Sequence, residues 1–416
     1  MKWILELAAR NLLRNKRRTS LAIVSMFLTV FLMTFLGSFV DGMMQNFVDN
    51  VTRNDSGHVR VTSRDFDERQ RFMPVDANIP DSEAVVSAIQ NISELAGEIA
   101  LVEERILFGN LLGNGNANKT AVAYAGDPEK ERELLRLDKS IAEGRYIENS
   151  GETIIGRGLA EDLNLSVNDE LRVVATGADY GLHLKKFKIV GIFNTGMKNL
   201  DDVVFQVSLK DAQMLLRTFG GSQQVLVMLK DYNKAEEAAV LIRASLSKLP
   251  GAENLIVRPW TEIGEYPALI LTMESTYDMI YYVVGILGAF IITNIMMMVV
   301  LERRREIGIL KAMGLKKREV LMLFFSEGIL IGLIGSFLGA LIGFILTFSL
   351  RNTGLDFSSS LSSINYPINP IIYLSADPLM ALKMVAIGTG LSALVSFLPS
   401  RKAAKMNVIE AIQSVV

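Results

Sequence analysis

Four strongly apolar segments constrain the fold of this chain more than any other feature. They are Ser20–Val40, Met279–Leu301, Gly328–Leu350 and Met384–Ser400, and the first three hold no charged side chain over 21 to 23 residues. A helix of that length crosses the roughly 30 Å of hydrocarbon in a bilayer. The fourth segment has 17 residues and needs some of its flanking residues to cross. The sequence therefore predicts a membrane protein with four transmembrane helices and a long insert between the first two.

Positive charge is concentrated next to the ends of these segments. Lys and Arg outnumber the acidic residues in 1–19, 302–319 and 401–416, whereas the insert, residues 41–278, holds 25 Lys and Arg against 37 Asp and Glu. Short loops rich in Lys and Arg stay on the cytoplasmic side of a membrane. Four spans place all three basic segments on one side. The pattern predicts a multi-pass protein of the cell (inner) membrane, with cytoplasmic termini and a periplasmic or extracellular insert.

The apolar and basic segments together divide the chain. Before the first span, Trp3 and Leu7 belong to an apolar stripe at helical spacing, which predicts an amphipathic helix in the inner interface. The predicted divisions are the cytoplasmic N-terminal helix 1–19, the first span 20–40, the extracytoplasmic domain 41–278, the second span 279–301, a cytoplasmic segment 302–319, the third span 320–350, an extracytoplasmic loop 351–380, the fourth span 381–400 and a cytoplasmic tail 401–416.

The long insert is large enough to hold two lobes. Each of its outer parts shows a strand–helix–strand pattern, and these two parts can form one sheet backed by two helices. Short strands separated by turns indicate a β-rich lobe at about residues 140–220. The predicted fold class is thus an α-helical membrane protein with four transmembrane helices plus a large α+β extracytoplasmic domain, in which a βαβ-type lobe carries an inserted β-rich lobe. The outer elements are expected at Gly57–Thr62, Ser82–Ile92 and Glu98–Leu112, and at Gln224–Leu229, Asn233–Leu249 and Asn254–Val257.

The composition excludes several kinds of site. The chain has no Cys, and its two histidines, His58 and His183, are far apart in sequence. A disulfide, a zinc site and a Cys/His nucleophile are therefore not expected. The basic segments carry no nucleic-acid-binding motif, and membrane topology explains their charge. We expect no catalytic residue, no metal ligand, no cofactor bound by this chain and no nucleic-acid partner.

Two kinds of acidic or glycine-rich sequence could suggest a site. The run Gly113–Thr120 ends like a phosphate-binding loop, but Asn118 stands where that loop needs a glycine before the lysine, so a hairpin turn is expected. The neighbouring carboxylates Glu103 and Glu104, and likewise Asp201 and Asp202, are expected to lie in solvated surface or turns. The sequence contains no ATP-binding motif, so ATP hydrolysis by this chain alone is not predicted.

The segment after the second span has a pattern typical of a docking helix. Ile307, Leu310 and Lys311 lie at helical spacing between charged residues, and Gly314 ends the helix before a basic turn. A short helix with apolar side chains between charges suits a groove on a cytosolic partner, while Arg303 and Arg304 can reach acidic phospholipid headgroups. The predicted coupling residues are Glu302, Arg303, Arg304, Arg305, Glu306, Ile307, Leu310, Lys311 and Gly314.

This segment carries a resemblance to a known family. The run from Glu302 to Gly314, followed by Phe325–Gly328 and a glycine-rich span, resembles the FtsX-like permease domain of type VII ABC transporters. In that family the helix couples to a separate ATPase subunit. Other stretches, which together extend the resemblance over nearly the whole chain, are similar to the lipoprotein-releasing permeases. They are Asp41-Gly42, Gly57–Val61, Ile155–Leu163, Val190–Gly196, Asp211–Gln213 and Asn294-Ile295.

The resemblance implies a permease subunit rather than an enzyme. A separate cytosolic ATPase dimer would bind ATP and magnesium, and a second permease, identical or homologous, would complete the complex. ATP hydrolysis would drive an extracytoplasmic conformational change that extracts or releases lipoproteins or other amphiphiles. A signalling permease of the FtsX type, which regulates an extracytoplasmic hydrolase without transporting a substrate, is an alternative. A macrolide-exporter-like role is a third, although those chains carry their own ATPase domain.

One departure from the lipoprotein-releasing branch concerns a hairpin in the insert. One permease of that branch extends this hairpin into a hook that recruits a periplasmic carrier. Here the turn is only Thr176–Lys186 and contains no proline. The sequence therefore does not predict recruitment of a carrier.

The third span combines a glycine stripe with one acidic residue. Steps of three and four residues place its glycines on one helix face, which permits close packing in lipid, and span four offers small residues opposite. Glu327 lies near the membrane edge, where an ionisable group is either functional or paired with a coupling-segment Arg or Lys. The predicted packing residues are Gly328, Gly332, Gly335, Gly339 and Gly343.

Spans one and two are rich in bulky, flexible side chains. Methionine-rich surfaces adapt to varied apolar ligands, and in the lipoprotein-releasing branch these two spans line a cavity for acyl chains. Packing against lipid explains most of these residues equally well. The residues expected to line such a cavity are Met26, Phe27, Phe31, Met33, Asn294 and Met297.

Overall fold

A computed structural model of the chain describes residues 2–14, 16–115, 117–357 and 371–413. Part of the predicted extracytoplasmic loop, residues 358–370, lies outside the described residues, as do residues 414–416 of the predicted tail.

The chain divides into two compact units. We call the first the helical unit, and it consists of Met1–Met44, Leu271–Leu355 and Ile372–Val416. The other, the sheet unit, consists of Gln45–Ile270 and Asp356–Ile371.

The α-helices are, in chain order, α1 (Lys2–Arg14), α2 (Lys16–Val51), α3 (Arg64–Arg69), α4 (Ser82–Gln90), α5 (Pro128–Leu135), α6 (Arg157–Leu163), α7 (Lys198–Asp201), α8 (Leu209–Leu216), α9 (Ala235–Leu246), α10 (Tyr266–Glu302), α11 (Arg304–Ala312), α12 (Lys317–Leu350), α13 (Pro378–Lys405) and α14 (Val408–Gln413).

The strands are β1 (Val59–Ser63), β2 (Ile99–Gly113), β3 (Asn118–Gly126), β4 (Ile141–Gly144), β5 (Glu152–Gly156), β6 (Glu170–Thr176), β7 (Leu182–Phe193), β8 (Val204–Ser208), β9 (Gln224–Leu229), β10 (Leu255–Pro259), β11 (Leu355–Asp356) and β12 (Ile371–Ile372).

In the part of the chain that the structure describes, four helices are long and apolar enough to cross a membrane, namely α2, α10, α12 and α13. At 36 and 37 residues, α2 and α10 are far longer than the apolar segments that predicted them. A helix of 36 residues is about 54 Å long, which exceeds the hydrocarbon thickness. The polar residues that flank each apolar segment continue the helix, and α2 ends in a π-helical turn at Thr52–Ser56.

The helical unit has its own apolar core. It is formed by small and flexible side chains that face each other from three of the long helices, with further side chains of α13 packed against them. The fully or nearly buried members are Ala22, Met26 and Val30 of α2, Ile292 and Met296 of α10, and Ile331 and Ala340 of α12. The N-terminal helix α1 packs on α12 through Ile4 and Ala8, one helical turn apart.

The first lobe of the sheet unit is an antiparallel sheet with the order β10-β1-β9-β2. Since β1 and β2 both run antiparallel to β9, they are parallel to each other with one strand between them. The same holds for β9 and β10 on either side of β1. Helices α4 and α9 connect these pairs and pack against each other. This is the split βαβ arrangement, and it confirms the two strand–helix–strand patterns.

The second lobe is a closed barrel. Strand β2 is 15 residues long, and its first part pairs with β9 while its second part pairs with β3. From β3 the pairing continues through β8, β5, β7 and β6 and returns to β2. Phe108, Phe187 and Phe205 fill the interior. Closure leaves these strands without an open edge.

The β-rich lobe begins earlier than the predicted 140–220. Its first strand is the second part of β2, from Ile106, and its second strand is β3. The prediction missed this because one uninterrupted strand serves both lobes, so no turn marks the boundary. The hairpin between β6 and β7 is also tighter than Thr176–Lys186, since Gly177 N donates to Gly181 O at 2.9 Å and β7 starts at Leu182. The predicted fold class is confirmed.

A buried ion pair lies where the two lobes meet. Arg105 of β2 donates from Nε and Nη2 to the carboxylate of Glu131 at 2.8 and 2.9 Å, and neither side chain is exposed. Its Nη1 donates to the carbonyl oxygens of Arg53 and Asn54 in the turn after α2. A bidentate pair that also satisfies backbone carbonyls compensates for the desolvation of both charges.

The expectation that the carboxylate pairs lie in solvated surface or turns is wrong for Glu103, whereas Asp201 ends the one-turn helix α7 and caps the turn before it. Glu103 is 1% exposed, and its Oε1 accepts from Asp127 N at 2.6 Å. Asp201 is also buried and accepts from the backbone N–H groups of Thr195 and Gly196 at 2.9 Å. Both residues are enclosed by segments distant in sequence or by a turn, which composition does not reveal.

Burial and the neighbouring Glu131 carboxylate raise the pKa of Glu103 to about 9. The folded chain therefore keeps a proton that the unfolded chain loses above its ordinary pKa of 4.5. Stability should fall between about pH 4.5 and pH 9, by no more than about 1.4 kcal/mol per pH unit from this group. The Glu103→Gln variant should lose this slope and melt higher than the wild type at pH 8. Tryptophan fluorescence of the full chain in detergent measures both effects.

Glu104→Gln is the matched control for this prediction, because it removes a carboxylate from the same strand and leaves the contact between Glu103 and Glu131 in place. Glu104→Gln should keep the pH dependence of the wild type. If Glu103→Gln keeps it too, Glu103 is not the group that holds the buried proton.

Candidate coupling site

The predicted coupling segment forms a short helix bounded by two breaks. The chain leaves the helical conformation at Arg303, between α10 and α11, where φ is −91° and ψ is 16°. At the other end Gly314 has φ +105°, a value that favours glycine, and its N–H donates to Lys311 O at 3.1 Å. Gly314 thus ends the helix as predicted from the sequence.

One face of α11 is fixed to the rest of the helical unit. Ile307 is 1% exposed and packs with Val300, Val320 and Phe324. Lys311 Nζ donates to the carbonyl oxygens of Ala404 and Met406 at 3.1 and 2.5 Å, at the C-terminal end of α13. The α13 carbonyls at that end lack helical partners, so the ammonium group satisfies them.

This packing corrects the expectation that Ile307 enters a groove on a partner. Its side chain already occupies the chain's own core, because the breaks at Arg303 and Gly314 fold α11 back onto α12 and α13. Leu310 is half-buried. Neither residue is the most exposed apolar residue of the helix.

The outward face of α11 carries other residues. Ile309 is 46% exposed and Met313, immediately after the helix, is 76% exposed. Arg305 and Ala312 are exposed on the same side, at helical spacing from Ile309. We call Arg305, Ile309, Ala312 and Met313 the outward face. Apolar side chains next to one cation form a surface that a partner can cover.

The expectation that Arg303 reaches a lipid headgroup is wrong, because this residue is only 7% exposed. Its Nη1 donates to Oε1 and Oε2 of Glu327 at 3.0 and 3.3 Å, and its Nε donates to Glu306 Oε2 at 3.0 Å. Glu327, which is 3% exposed, also accepts from Asn11 Nδ2 at 2.7 Å. Of the two expectations for Glu327, pairing with a coupling-segment arginine is the one observed. Glu302 pairs with Arg18.

The five predicted packing glycines are all buried in α12, and they face two different helices. The side chains of Ser396 and Ser392 in α13 occupy the space beside Gly328 and Gly332. A Cβ added at Gly335 would lie 2.6 Å from Met26 Cβ of α2. The remaining two glycines lie against α2 as well: an added Cβ would be 2.6 Å from Phe27 O at Gly339 and 3.0 Å from Thr34 Cβ at Gly343.

The structure does not bring together the six residues expected to line an apolar cavity. Met26 and Met33 are buried, and Met26 packs in the core of the helical unit. Phe27 and Phe31 stack along α2 with ring centroids 5.9 Å apart and are half-buried. Asn294 is exposed and Met297 is half-buried on α10. No metal-binding cluster of His, Cys, Asp and Glu occurs within the described ranges.

Two family matches cover most of the chain. Residues 19–245 match the MacB-like periplasmic core domain, and residues 279–408 match the FtsX-like permease C-terminal domain. The first match alone spans more than half of the chain. The chain belongs to the FtsX-like and MacB-like ABC transporter permeases. The helices and the periplasmic-core match make this permease an inner-membrane protein with a large extracytoplasmic domain.

The chain is also similar to individual proteins. The permease is 26% identical over 321 residues to the lipoprotein-releasing system transmembrane protein LolC of Neisseria meningitidis. This alignment covers 71% of this chain and 76% of that protein. It is 25% identical over 434 residues to the macrolide export ATP-binding/permease protein MacB of Marinobacter nauticus, covering 99% of this chain and 60% of that protein. The periplasmic region of MacB from Actinobacillus actinomycetemcomitans aligns with a TM-score of 0.36 at 12% identity, over 53% of this chain and 92% of that one.

Some residues of the coupling site could not be identified from the sequence. The outward positions Ile309 and Met313 were hidden because their apolar spacing matches that of the inward positions, and only the fold decides which face is free. Asn11 was missed because a single polar residue in an amphipathic helix gives no signal of its partner. Its position, seven residues after Ile4 on the packed face of α1, was the one available indication.

The glycine face predicts a sharp difference between two substitutions in the permease. In Gly339→Leu, the new side chain would overlap the backbone of α2 at Phe27 and Phe31. Overpacking of this kind costs about 1–3 kcal/mol or more, so the melting temperature in detergent should fall. Gly390→Leu is the matched control, since nothing lies within 4 Å of a Cβ added at Gly390. Equal melting temperatures for the two variants would mean that α12 does not pack closely on α2.

Proposed function

We propose that this chain is the permease subunit of an ABC complex in which a separate cytosolic ATPase drives a conformational change of the extracytoplasmic domain. The observation that carries the proposal is α11: one of its faces is fixed to the permease core, and among the described residues the opposite face is exposed. A force applied to such a helix is passed to the core instead of being lost in movement of a loose loop.

The outward face defines where the ATPase would bind. Ile309 and Met313 supply apolar contact area, and Arg305 supplies a cation beside them. Helices that dock in grooves use apolar side chains at such spacing. The inward residues Ile307 and Lys311 support the contact from behind by holding α11 against α12 and α13.

One permease offers one such helix, so a complex with two ATPase subunits requires two permeases, identical or homologous. ATP and magnesium would be held by the ATPase dimer, and no cofactor by this chain. The basic segments at residues 1–19, 302–319 and 401–416 support a cytoplasmic location for both termini and for α11.

The proposed cargo is a lipoprotein or another amphiphile that is taken from the membrane. The name of the LolC relative refers to lipoprotein release and that of the MacB relative to macrolide export, and both kinds of cargo have apolar parts. Lipoprotein release has the support of the sequence resemblance in the extracytoplasmic domain. The five-residue turn between β6 and β7 gives no support for recruitment of a carrier by this chain.

The docking surface gives a prediction about ATP turnover. In Ile309→Asp/Met313→Asp, two charges replace apolar contacts, and their desolvation opposes docking. We expect loss of ATPase co-purification and a fall of ATP turnover in the membrane complex to the rate of the ATPase alone. The permease itself should keep its melting temperature, because both positions are exposed and such changes cost within about 0.5 kcal/mol.

Ile309→Leu/Met313→Leu is the matched control and should bind the ATPase normally. Ile307→Asp should behave differently from both, because it buries a charge in the permease core and lowers the melting temperature first. Normal turnover in the double aspartate variant would show that the ATPase contacts another surface.

A further inference from the structure

Five polar side chains from four segments meet in the helical unit. They are Asn11 and Arg14 of α1, Arg303 between α10 and α11, Glu306 of α11 and Glu327 of α12, and we call them the polar cluster. Arg14 and Glu306 form an ion pair at 2.5 Å. The other members are joined by the hydrogen bonds of Arg303 and Asn11 described above.

The contacts of the polar cluster form a closed circuit. Asn11 and Arg14 are three residues apart and lie on one side of α1. From Arg14 the circuit runs to Glu306, then to Arg303 and Glu327, and it returns to α1 through Asn11. A closed circuit restrains relative movement of its members more than an open chain of contacts does, because each member is held from two sides.

The charge balance explains why Arg303 and Glu327 can be buried, while Arg14 and Glu306 lie at the exposed side of the cluster. Two arginines face two glutamates, so the polar cluster is neutral if all four are ionised. The ring of Phe324 lies beneath the guanidinium of Arg303, with its centroid 5.5 Å from Cζ. A buried charge without its partner would be strongly destabilising, whereas a fully paired set is tolerated.

The position of Arg303 determines which helices the polar cluster can restrain. Arg303 is the residue at which the helix breaks between α10 and α11. A break of this kind allows one helix to swing relative to the next. The bonds from Arg303 to Glu327 and Glu306 tie this break to α12 and α11, and Asn11 and Arg14 connect the same two glutamates to α1.

We propose that Glu327 is a positioning residue for coupling, acting through Arg303, and that the polar cluster makes α11, α1 and the first turns of α12 move as one body. The part of this inference that concerns ATP rests on the proposed function. The restraint itself is a property of the permease alone, so the two can be tested separately.

The test uses the absence of cysteine from the native sequence, which allows two spin labels to be placed without other changes. Leu13→Cys on α1 and Ala312→Cys on α11 are suitable, since both side chains are exposed. Pulsed electron paramagnetic resonance on the full chain in nanodiscs then gives the distribution of distances between α1 and α11. Because Ala312 belongs to the outward face, the labelled permease is measured without the ATPase, and ATP turnover is measured on the unlabelled variants. The wild-type cluster predicts one narrow distribution.

Arg303→Met/Glu327→Met separates restraint from stability. It removes both charges together, so no charge remains unpaired and the melting temperature should stay near that of the wild type. The narrow distance distribution should be lost. Stimulated ATP turnover should also be lost while the ATPase still co-purifies, because the outward face of α11 is unchanged. Glu327→Gln alone should lower the melting temperature, since it removes the buried carboxylate that Nη1 of Arg303 contacts.

Asn11→Leu is a second, milder variant that leaves all charges paired and cuts only the return contact to α1. It should broaden the distance distribution without loss of folding, and it decides the question if the double methionine variant does not fold. Arg17→Met, at an exposed position of α2, is the matched control for loss of an arginine and should behave as the wild type.

A narrow distribution in both Asn11→Leu and the double methionine variant would overturn the proposal, because the cluster would then stabilise the fold without restraining α11. Normal stimulated turnover together with a broadened distribution would also overturn it. If the wild-type permease fails to bind any ATPase, the proposed function fails, and the distance measurement on the permease alone still decides whether the restraint exists.

Discussion

Inside the hydrocarbon of a bilayer no water is available to hydrogen-bond a polar group, and this constraint accounts for most of the helical unit. Backbone groups are satisfied within α2, α10, α12 and α13 themselves. Several hydroxyl groups donate to carbonyls, as Ser392 Oγ does to Gly328 O at 2.8 Å. Helices gain little from apolar burial against each other in lipid, so close approach at the glycines of α12 takes its place. The one buried carboxylate described in α12, Glu327, is fully surrounded by donors.

In the sheet unit, the corresponding constraint is the connection between its two lobes. The long strand β2 belongs to both lobes, and Arg105 on it binds Glu131 and the carbonyls of the turn after α2. The end of α2 is therefore fixed to the strand that the split βαβ sheet and the barrel share. A connection through a strand is stiffer than one through a loop, since ladder hydrogen bonds hold the strand along most of its length.

Local pattern was sufficient to predict the elements whose residues interact mainly with near neighbours or with lipid. The apolar segments predicted the four long helices, and the strand pattern predicted Gln224–Leu229 at its observed bounds. Gly314 and the glycines of α12 were also readable, because their backbone geometry and spacing are local. The polar partners were not. Asn11 and Glu327 are 316 residues apart, and Arg105 and Glu131 are on separate elements. The inward orientation of Ile307 likewise depends on how α11 folds back, which no local pattern fixes.

In the proposed cycle, ATP hydrolysis by a separate subunit changes the arrangement of the extracytoplasmic domain. The most direct test places one label at Leu182 in the sheet unit and one at Leu398 in the helical unit, both exposed, in the membrane complex with its ATPase. If the proposed cycle operates, the distance distribution between the two labels shifts between the nucleotide-free and the vanadate-trapped complex. An unchanged distribution in a complex that hydrolyses ATP at its full rate would contradict it.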